Sequence, residues 1–187
     1  MYTIDTYLSE LLETIGASDG AQLQKAADAI EKAWKEGRHI FLFGNGGSAA
    51  TAAHAAVDLQ KGLTETCGIP CRAVSLTTEL PIITAWANDE SYESVFLRPL
   101  SVLMEPGDVV IGISGSGNSP NVLRAIEHAN EKGGVTIGLA GYGGGKLASL
   151  ARIPVVTQSR NMQMCEDLHT LWLHAIYSAL RDAERKP

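Results

Sequence analysis

Two short segments combine glycine with hydroxyl side chains: Gly44-Asn45-Gly46-Gly47-Ser48 and Ser114-Gly115-Ser116-Gly117-Asn118-Ser119. Glycine lets backbone N–H groups approach an anion closely, and the four serines add further donors. No charged residue occurs from Val109 through Val122, and His54 is the only ionisable residue from Ile40 through Val57. Amides and hydroxyls without lysine or arginine suit a phosphate monoester. Neither segment continues into the Gly-Lys-Ser/Thr of a nucleotide phosphate loop or forms a clean dinucleotide fingerprint, so a nucleotide cofactor is not indicated. A second constellation is ionisable. His54 and Asp58 stand at i, i+4 in an alanine-rich stretch, which puts imidazole and carboxylate on one helical face, as metal ligands or as an acid/base couple. Glu166, Asp167, His169 and His174 gather near the C-terminus. Alone, that mixture reads as a solvated helix start. With His54 and Asp58 it makes an imidazole–carboxylate set that suits zinc or another first-row metal.

These residues need elements to hold them. Short apolar runs at 40–43, 72–76, 109–113, 136–140 and 153–156 predict five strands, and most are separated by helical patterns. Nearly all-apolar strands alternating with helices indicate a parallel sheet covered on both faces. Each of three glycine clusters follows such a strand, at the edge where open parallel sheets bind ligands. The third, Gly141-Tyr142-Gly143-Gly144-Gly145-Lys146, lacks hydroxyls apart from Tyr142 and reads mainly as a flexible turn. Leu8, Leu11, Leu12 and Ile15, then Leu23, Ala26, Ala27, Ile30 and Trp34, predict two leading helices. Ser119 and Pro120 mark the N-cap and first position of another. Pro99 should kink or restart a helix within 95–104. A last helix carries Leu168, Leu171, Trp172, Ala175 and Leu180 along one side. The expected organisation is one domain over 1–187: leading helices in 1–37, an α/β core in 38–160 and a C-terminal helix in 161–187.

The chain has 187 residues, 45% hydrophobic and 19% charged, which is globular composition. Its 15 basic and 21 acidic residues leave a net charge of −6, which argues against nucleic acid and anionic membrane surfaces as partners. No apolar run approaches the ~18–20 residues that span a bilayer. The start, Met1-Tyr2-Thr3-Ile4-Asp5, lacks the pattern of a signal peptide, so a cytoplasmic protein is expected. Cys67, Cys71 and Cys165 read as ordinary reduced thiols, since no second pair completes four zinc ligands.

The stretches Gly44-Asn45-Gly46-Gly47-Ser48-Ala49 and Gly112-Ile113-Ser114-Gly115-Ser116-Gly117-Asn118-Ser119 resemble the signature loops of sugar-isomerase (SIS) domains. With Ala53-His54, Ala87-Asn88-Asp89, and Glu166-Asp167-Leu168-His169 followed by His174, the match is nearest to the phosphoheptose isomerases and covers essentially the whole chain. The resemblance implies a three-layer α/β sandwich with a five-stranded parallel sheet of flavodoxin-like order, assembled as a homotetramer with active sites near subunit interfaces. It implies conversion of sedoheptulose 7-phosphate to an aldose heptose 7-phosphate. Phosphate would meet Ser114, Gly115, Ser116 and Ser119, with Ser48 nearby. The sugar would meet Asn45, Gly46, Gly47, Asn88, Asp89 and Glu166. Zinc would be held by His54, Asp58, Glu166 and His174. Three positions depart from the family's usual residues: Asp58 replaces a glutamate, Gly115 a threonine, and Glu166, counted back from His174 without a gap, a glutamine, with Gln163 taking that place only if the helix slips by about a turn.

On this reading Asp58 is the base and His174 the acid partner of an enediol proton transfer. Alternatives are an isomerase of a different sugar phosphate, or a non-catalytic SIS protein that binds phosphosugars or a partner such as a replication initiator. Glu166 and His174 lie eight residues apart. That is ~12 Å along an α-helix, against metal–ligand bonds of ~2 Å. Either residue 166 precedes the helix proper or the two ligands come from different subunits.

Overall fold

The five apolar runs form five strands: β1 (His39–Gly44), β2 (Arg72–Ser75), β3 (Val109–Ser114), β4 (Val135–Ala140) and β5 (Ile153–Val156). In the computed structural model, which describes residues 1–184, they pair in parallel in the order β2-β1-β3-β4-β5. The helices are α1 (Ile4–Gly16), α2 (Gly20–Lys35), α3 (Gly47–Val57), α4 (Thr64–Cys67), α5 (Leu80–Asp89), α6 (Leu97–Leu103), α7 (Pro120–Glu131), α8 (Gly145–Leu150) and α9 (Met162–Glu184). A π-helical turn, Asp58–Leu63, joins α3 to α4.

Side chains alternate across a strand, so each strand feeds two cores. Ile40 and Leu42 of β1, with Val109, Ile111 and Ile113 of β3, pack against Ile30 and Trp34 of α2, Ala52 of α3, and Leu168 and Trp172 of α9. Phe41, Phe43 and Val110 point the other way, to Phe96, Leu100 of α6, Val122 and Ile126 of α7, and Leu147 of α8. The sheet is buried on both faces, which is why its strands read as continuous apolar runs. No helix among the described residues is long and apolar enough to cross a membrane.

Several expectations need correction. The apolar stripe of α1 is only half used: Leu11 and Ile15 pack on the core, whereas Leu8 and Leu12 are exposed, Leu12 by 70%. α1 is pinned to α9 instead by the Tyr7 hydroxyl, which donates to Asp167 Oδ2 at 2.6 Å. Burial and that carboxylate push the Tyr7 phenol up to about 12. On α9 the buried side is Leu168, Trp172, Leu173, Ile176 and Leu180, while Leu171 and Ala175 face out. The restart expected at Pro99 is present: α6 begins at Leu97, so the proline falls in its first turn, where its missing N–H costs nothing. Ser119 occupies the N-cap of α7 without capping it; its hydroxyl lies 3.0 Å from Ser114 Oγ.

His169 also departs from the sequence reading. It is fully buried on α9, packed against Trp172, and neither ring nitrogen has a hydrogen-bond partner among the described residues. The Ala140 backbone stands nearby and favours the charged form, but desolvation dominates and pushes the imidazole down to about 4. The unfolded chain, at an ordinary 6.5, therefore takes up a proton that the native state refuses as pH falls from about 6.5 to 4. Stability is full above that window and declines through it, by up to about 3 kcal/mol for a shift of this size. His169→Leu should match or exceed the parent stability at pH 7, because it replaces a buried, poorly hydrogen-bonded imidazole with an apolar side chain. It should also lose much less stability between pH 7 and pH 4.5 in urea titrations. An unchanged pH dependence would show that His169 is not the group responsible.

Candidate active site

The chain leaves β1 toward β2 on one side and returns to β3 on the other, so a crevice opens where the C-terminal ends of β1 and β3 diverge. Both Gly/Ser segments sit there and form a cavity of about 290 Å³ lined by Asn45, Gly46, Gly47, Ser48, Ser114, Gly115, Ser116 and Ser119. The turn after β1 requires glycine: a Cβ on Gly44 would stand 2.7 Å from Ser48 Cβ and 2.8 Å from the Ile113 carbonyl oxygen. α3 and α7 both begin at this edge, so their unpaired N–H groups and partial positive charge serve the cavity. Ser48 and Ser114 are buried, and Ser116 and Ser119 half-buried.

The third glycine loop is a buttress rather than mainly a flexible turn. Gly117 (φ 66°) has no room for a Cβ because the Gly144 carbonyl packs on it. Leu147 N–H donates to the Gly117 carbonyl at 2.9 Å, and Lys146 N–H donates to Asn118 Oδ1 at 3.1 Å. From α9, Met162 packs its sulfur on Gly115, and the Glu166 carboxylate packs on Gly47. Among the described residues, Glu166 is the one charged side chain lining the cavity.

The imidazole–carboxylate set divides. His54 of α3, Asp58 of the π turn and His174 of α9 converge, with Asp58 Oδ2 at 3.5 Å from each imidazole Nε2 and the two Nε2 atoms 3.3 Å apart. The edge of a tetrahedron around an ion with bonds of ~2.0–2.1 Å is ~3.3–3.4 Å, so this triangle fits three ligands of a zinc-sized cation and leaves a fourth position. Two imidazoles and a carboxylate are also the right donor types. The group can hold a metal. Glu166 is not part of it. α9 begins at Met162, so residue 166 lies inside the helix, and the eight-residue spacing separates it from His174 by ~12 Å.

Asn88 and Asp89 end α5, exposed, with Asn88 Nδ2 donating to Asp89 Oδ1 at 2.8 Å. Neither lines the Gly/Ser cavity. A larger concavity of about 540 Å³ lies between the α1–α2 corner and the end of β5, away from both groups.

One contact escaped the sequence reading. The Tyr177 hydroxyl packs on Gly62, in the space that a Cβ would fill. Gly62 belongs to the π turn that begins with Asp58, and Tyr177 lies one turn beyond His174. This contact packs α9 against the turn that carries Asp58. Single π turns recur at functional sites, but no spacing rule announces one.

A model of the SIS domain matches residues 5–141. The chain is 40% identical over 155 residues to the phosphoheptose isomerase of Aquifex aeolicus, spanning 83% of this chain and 81% of that protein. It is 42% identical over 155 residues to the phosphoheptose isomerase of Aliarcobacter butzleri, spanning 82% and 81%. The solved phosphoheptose isomerase of Neisseria gonorrhoeae superposes with a TM-score of 0.88 at 28% identity, covering 96% of this chain and 97% of that one.

Gly62→Ala should press a methyl group into Tyr177 and push α9 from the π turn. If the triangle holds a zinc-sized cation, its affinity, probed by calorimetry with zinc, should fall about tenfold or more, with partial recovery in Gly62→Ala/Tyr177→Leu. Parent-like affinity in Gly62→Ala would remove Tyr177 from any role in setting the triangle.

Proposed function

The chain belongs to the SIS-domain phosphoheptose isomerases, and on that premise we propose that it interconverts sedoheptulose 7-phosphate and an aldose heptose 7-phosphate. The observation that carries the reading is a shared pair of helices. α3 and α9 contribute to a cavity of amides and hydroxyls, with the Glu166 carboxylate and no cationic side chain among the described residues, at one end and to an imidazole–carboxylate triangle farther along.

In this reading the phosphate is held by Ser114, Gly115, Ser116 and Ser119, with Ser48 and the starts of α3 and α7. The sugar is held by Asn45, Gly46, Gly47 and Glu166, and by Asn88 and Asp89. Binding at the phosphate, remote from the reacting carbons, orients the chain of the sugar. Asp58 removes the proton from the carbon beside the carbonyl. Its Oδ2 faces both imidazoles, so Oδ1 is the atom left for the proton. His174 Nε2 belongs to the triangle, so Nδ1 is the atom left to move a proton between the sugar oxygens as the enediol forms, and return of the proton held on Asp58 to the former carbonyl carbon gives the aldose. His54, Asp58 and His174 would hold zinc, whose chemistry when bound is to polarise the carbonyl and hydroxyl.

The protein is further proposed to be a cytoplasmic homotetramer. Leu8 and Leu12 of α1 are exposed, and so are Leu80 and Ile82 of α5. A second copy covering these faces would bring its own residues to the site, and an ion at the triangle would take Glu166 only from another copy. A non-catalytic, partner-binding role is disfavoured by the intact triangle, which binding alone would not require.

Asp58→Asn and His174→Gln should each lower turnover at least about 10²-fold, the scale of one general acid or base. Inorganic phosphate should still bind each variant as it binds the parent. Chelation should abolish activity and added zinc restore it; full activity in metal-free protein would eliminate the metal. Mixing Asp58→Asn with Ser116→Asp subunits should restore activity if the site is shared between copies. Two dead variants that stay dead on mixing would place each site within one chain.

A further inference from the structure

Asn45 lines the cavity, yet most of its amide is already engaged from behind. The key partner is Asn121, the second residue of α7 and buried. The Val122 backbone N–H can only donate, and it donates to Asn121 Oδ1 at 3.0 Å. That fixes which end of the Asn121 amide is oxygen. Its Nδ2 then donates to Asn45 Oδ1 at 2.8 Å, and Asn45 Nδ2 donates back to Asn121 Oδ1 at 2.9 Å. Tyr92, from the segment after α5, adds its hydroxyl, donating to Asn45 Oδ1 at 3.0 Å.

The hydrogen-bond inventory closes with one group left over. Asn45 Oδ1 has two lone pairs, and both are taken, by Asn121 Nδ2 and the Tyr92 hydroxyl. Asn45 Nδ2 has two hydrogens, and one goes to Asn121. Among the described residues the other has no partner, so a single N–H remains. Asparagine amides ordinarily offer a ligand either polarity by flipping, and here the flip would set Asn45 Nδ2 against Asn121 Nδ2.

We propose that Asn121 and Tyr92 are positioning residues that hold Asn45 as a donor only, so that the site meets a substrate oxygen through its lone pair and never through its hydrogen. The inference rests on the reading of Asn45 as a sugar contact. A donor-only amide favours an oxygen that gains negative charge during enediol formation, where a free carbonyl lone pair would repel it. It also couples the two Gly/Ser loops, because Asn121 stands two residues beyond Ser119 on the phosphate side while Asn45 belongs to the loop after β1.

The test compares Asn45→Ala, Asn121→Leu and Tyr92→Phe, singly and in the Asn45→Ala background, using sedoheptulose 7-phosphate turnover and inhibition by inorganic phosphate. Tyr92 is exposed, so its variant keeps the fold even if the buried Asn121 change does not. Asn45→Ala should lower kcat/KM. Tyr92→Phe and Asn121→Leu should each lower it about fivefold in the parent, the scale of one neutral hydrogen bond, and have no further effect once Asn45 is alanine. Phosphate inhibition should stay within twofold throughout. If Asn45→Ala is impaired while Tyr92→Phe matches the parent, or if the Tyr92→Phe loss persists in the Asn45→Ala background, the relay is wrong and the sugar-contact reading survives. Parent-like kcat/KM in Asn45→Ala overturns both.

Discussion

The constraint on which the rest of the structure depends is the collapse of the β1–α3 turn onto the end of β3. Gly44 stands so close to Ser48 and the Ile113 carbonyl that no side chain fits. That approach brings the two Gly/Ser loops to one crevice and aims α3 from the strand edge. It also fixes the line along which His54 and Asp58 are carried. The cavity can then attract an anion without a cationic side chain, because helix starts and hydroxyls supply the field. A net charge of −6 and a phosphate ligand are compatible for the same reason.

α3 and α9 act as one unit. Ala52 of α3 lies in the core with Leu168 and Trp172 of α9, and the Thr51 and Thr170 hydroxyls meet at 3.0 Å. The alanine-rich face of α3 allows this close packing. Farther along, Tyr177 in the hollow of Gly62 keeps the helices in register where the triangle forms. α9 thus presents Glu166 to the cavity and His174 to the triangle, and a straight helix cannot bring both to one point. The division of the site follows from helical rise alone.

Much of this was legible. The five strands, their parallel pairing and the placement of glycine clusters at the C-terminal edge follow from apolar runs and loop composition. The His54–Asp58 pairing follows from i, i+4 spacing, although a π turn begins at Asp58. Legibility failed where an element's environment mattered more than its pattern. Leu8 and Leu171 fit amphipathic stripes, yet both are exposed. His169 sits beside acidic residues in sequence, but its side of α9 faces the core. The third glycine loop lacks hydroxyls and so looked inert, whereas its contribution is made by backbone groups that have no sequence signature.

By itself, the sequence determined the sheet, the loops that end its strands and the kinds of groups available for phosphate and metal. Those depend on local periodicity and on side-chain chemistry, which each residue carries with it. Only the tertiary structure decided which of those groups meet. It joined His174 to His54 and Asp58, left Glu166 with the cavity, and tied Asn45 to Asn121 and Tyr92. These pairings span 120, 76 and 47 residues. They are set by how helices pack on the sheet, which no spacing along the chain encodes.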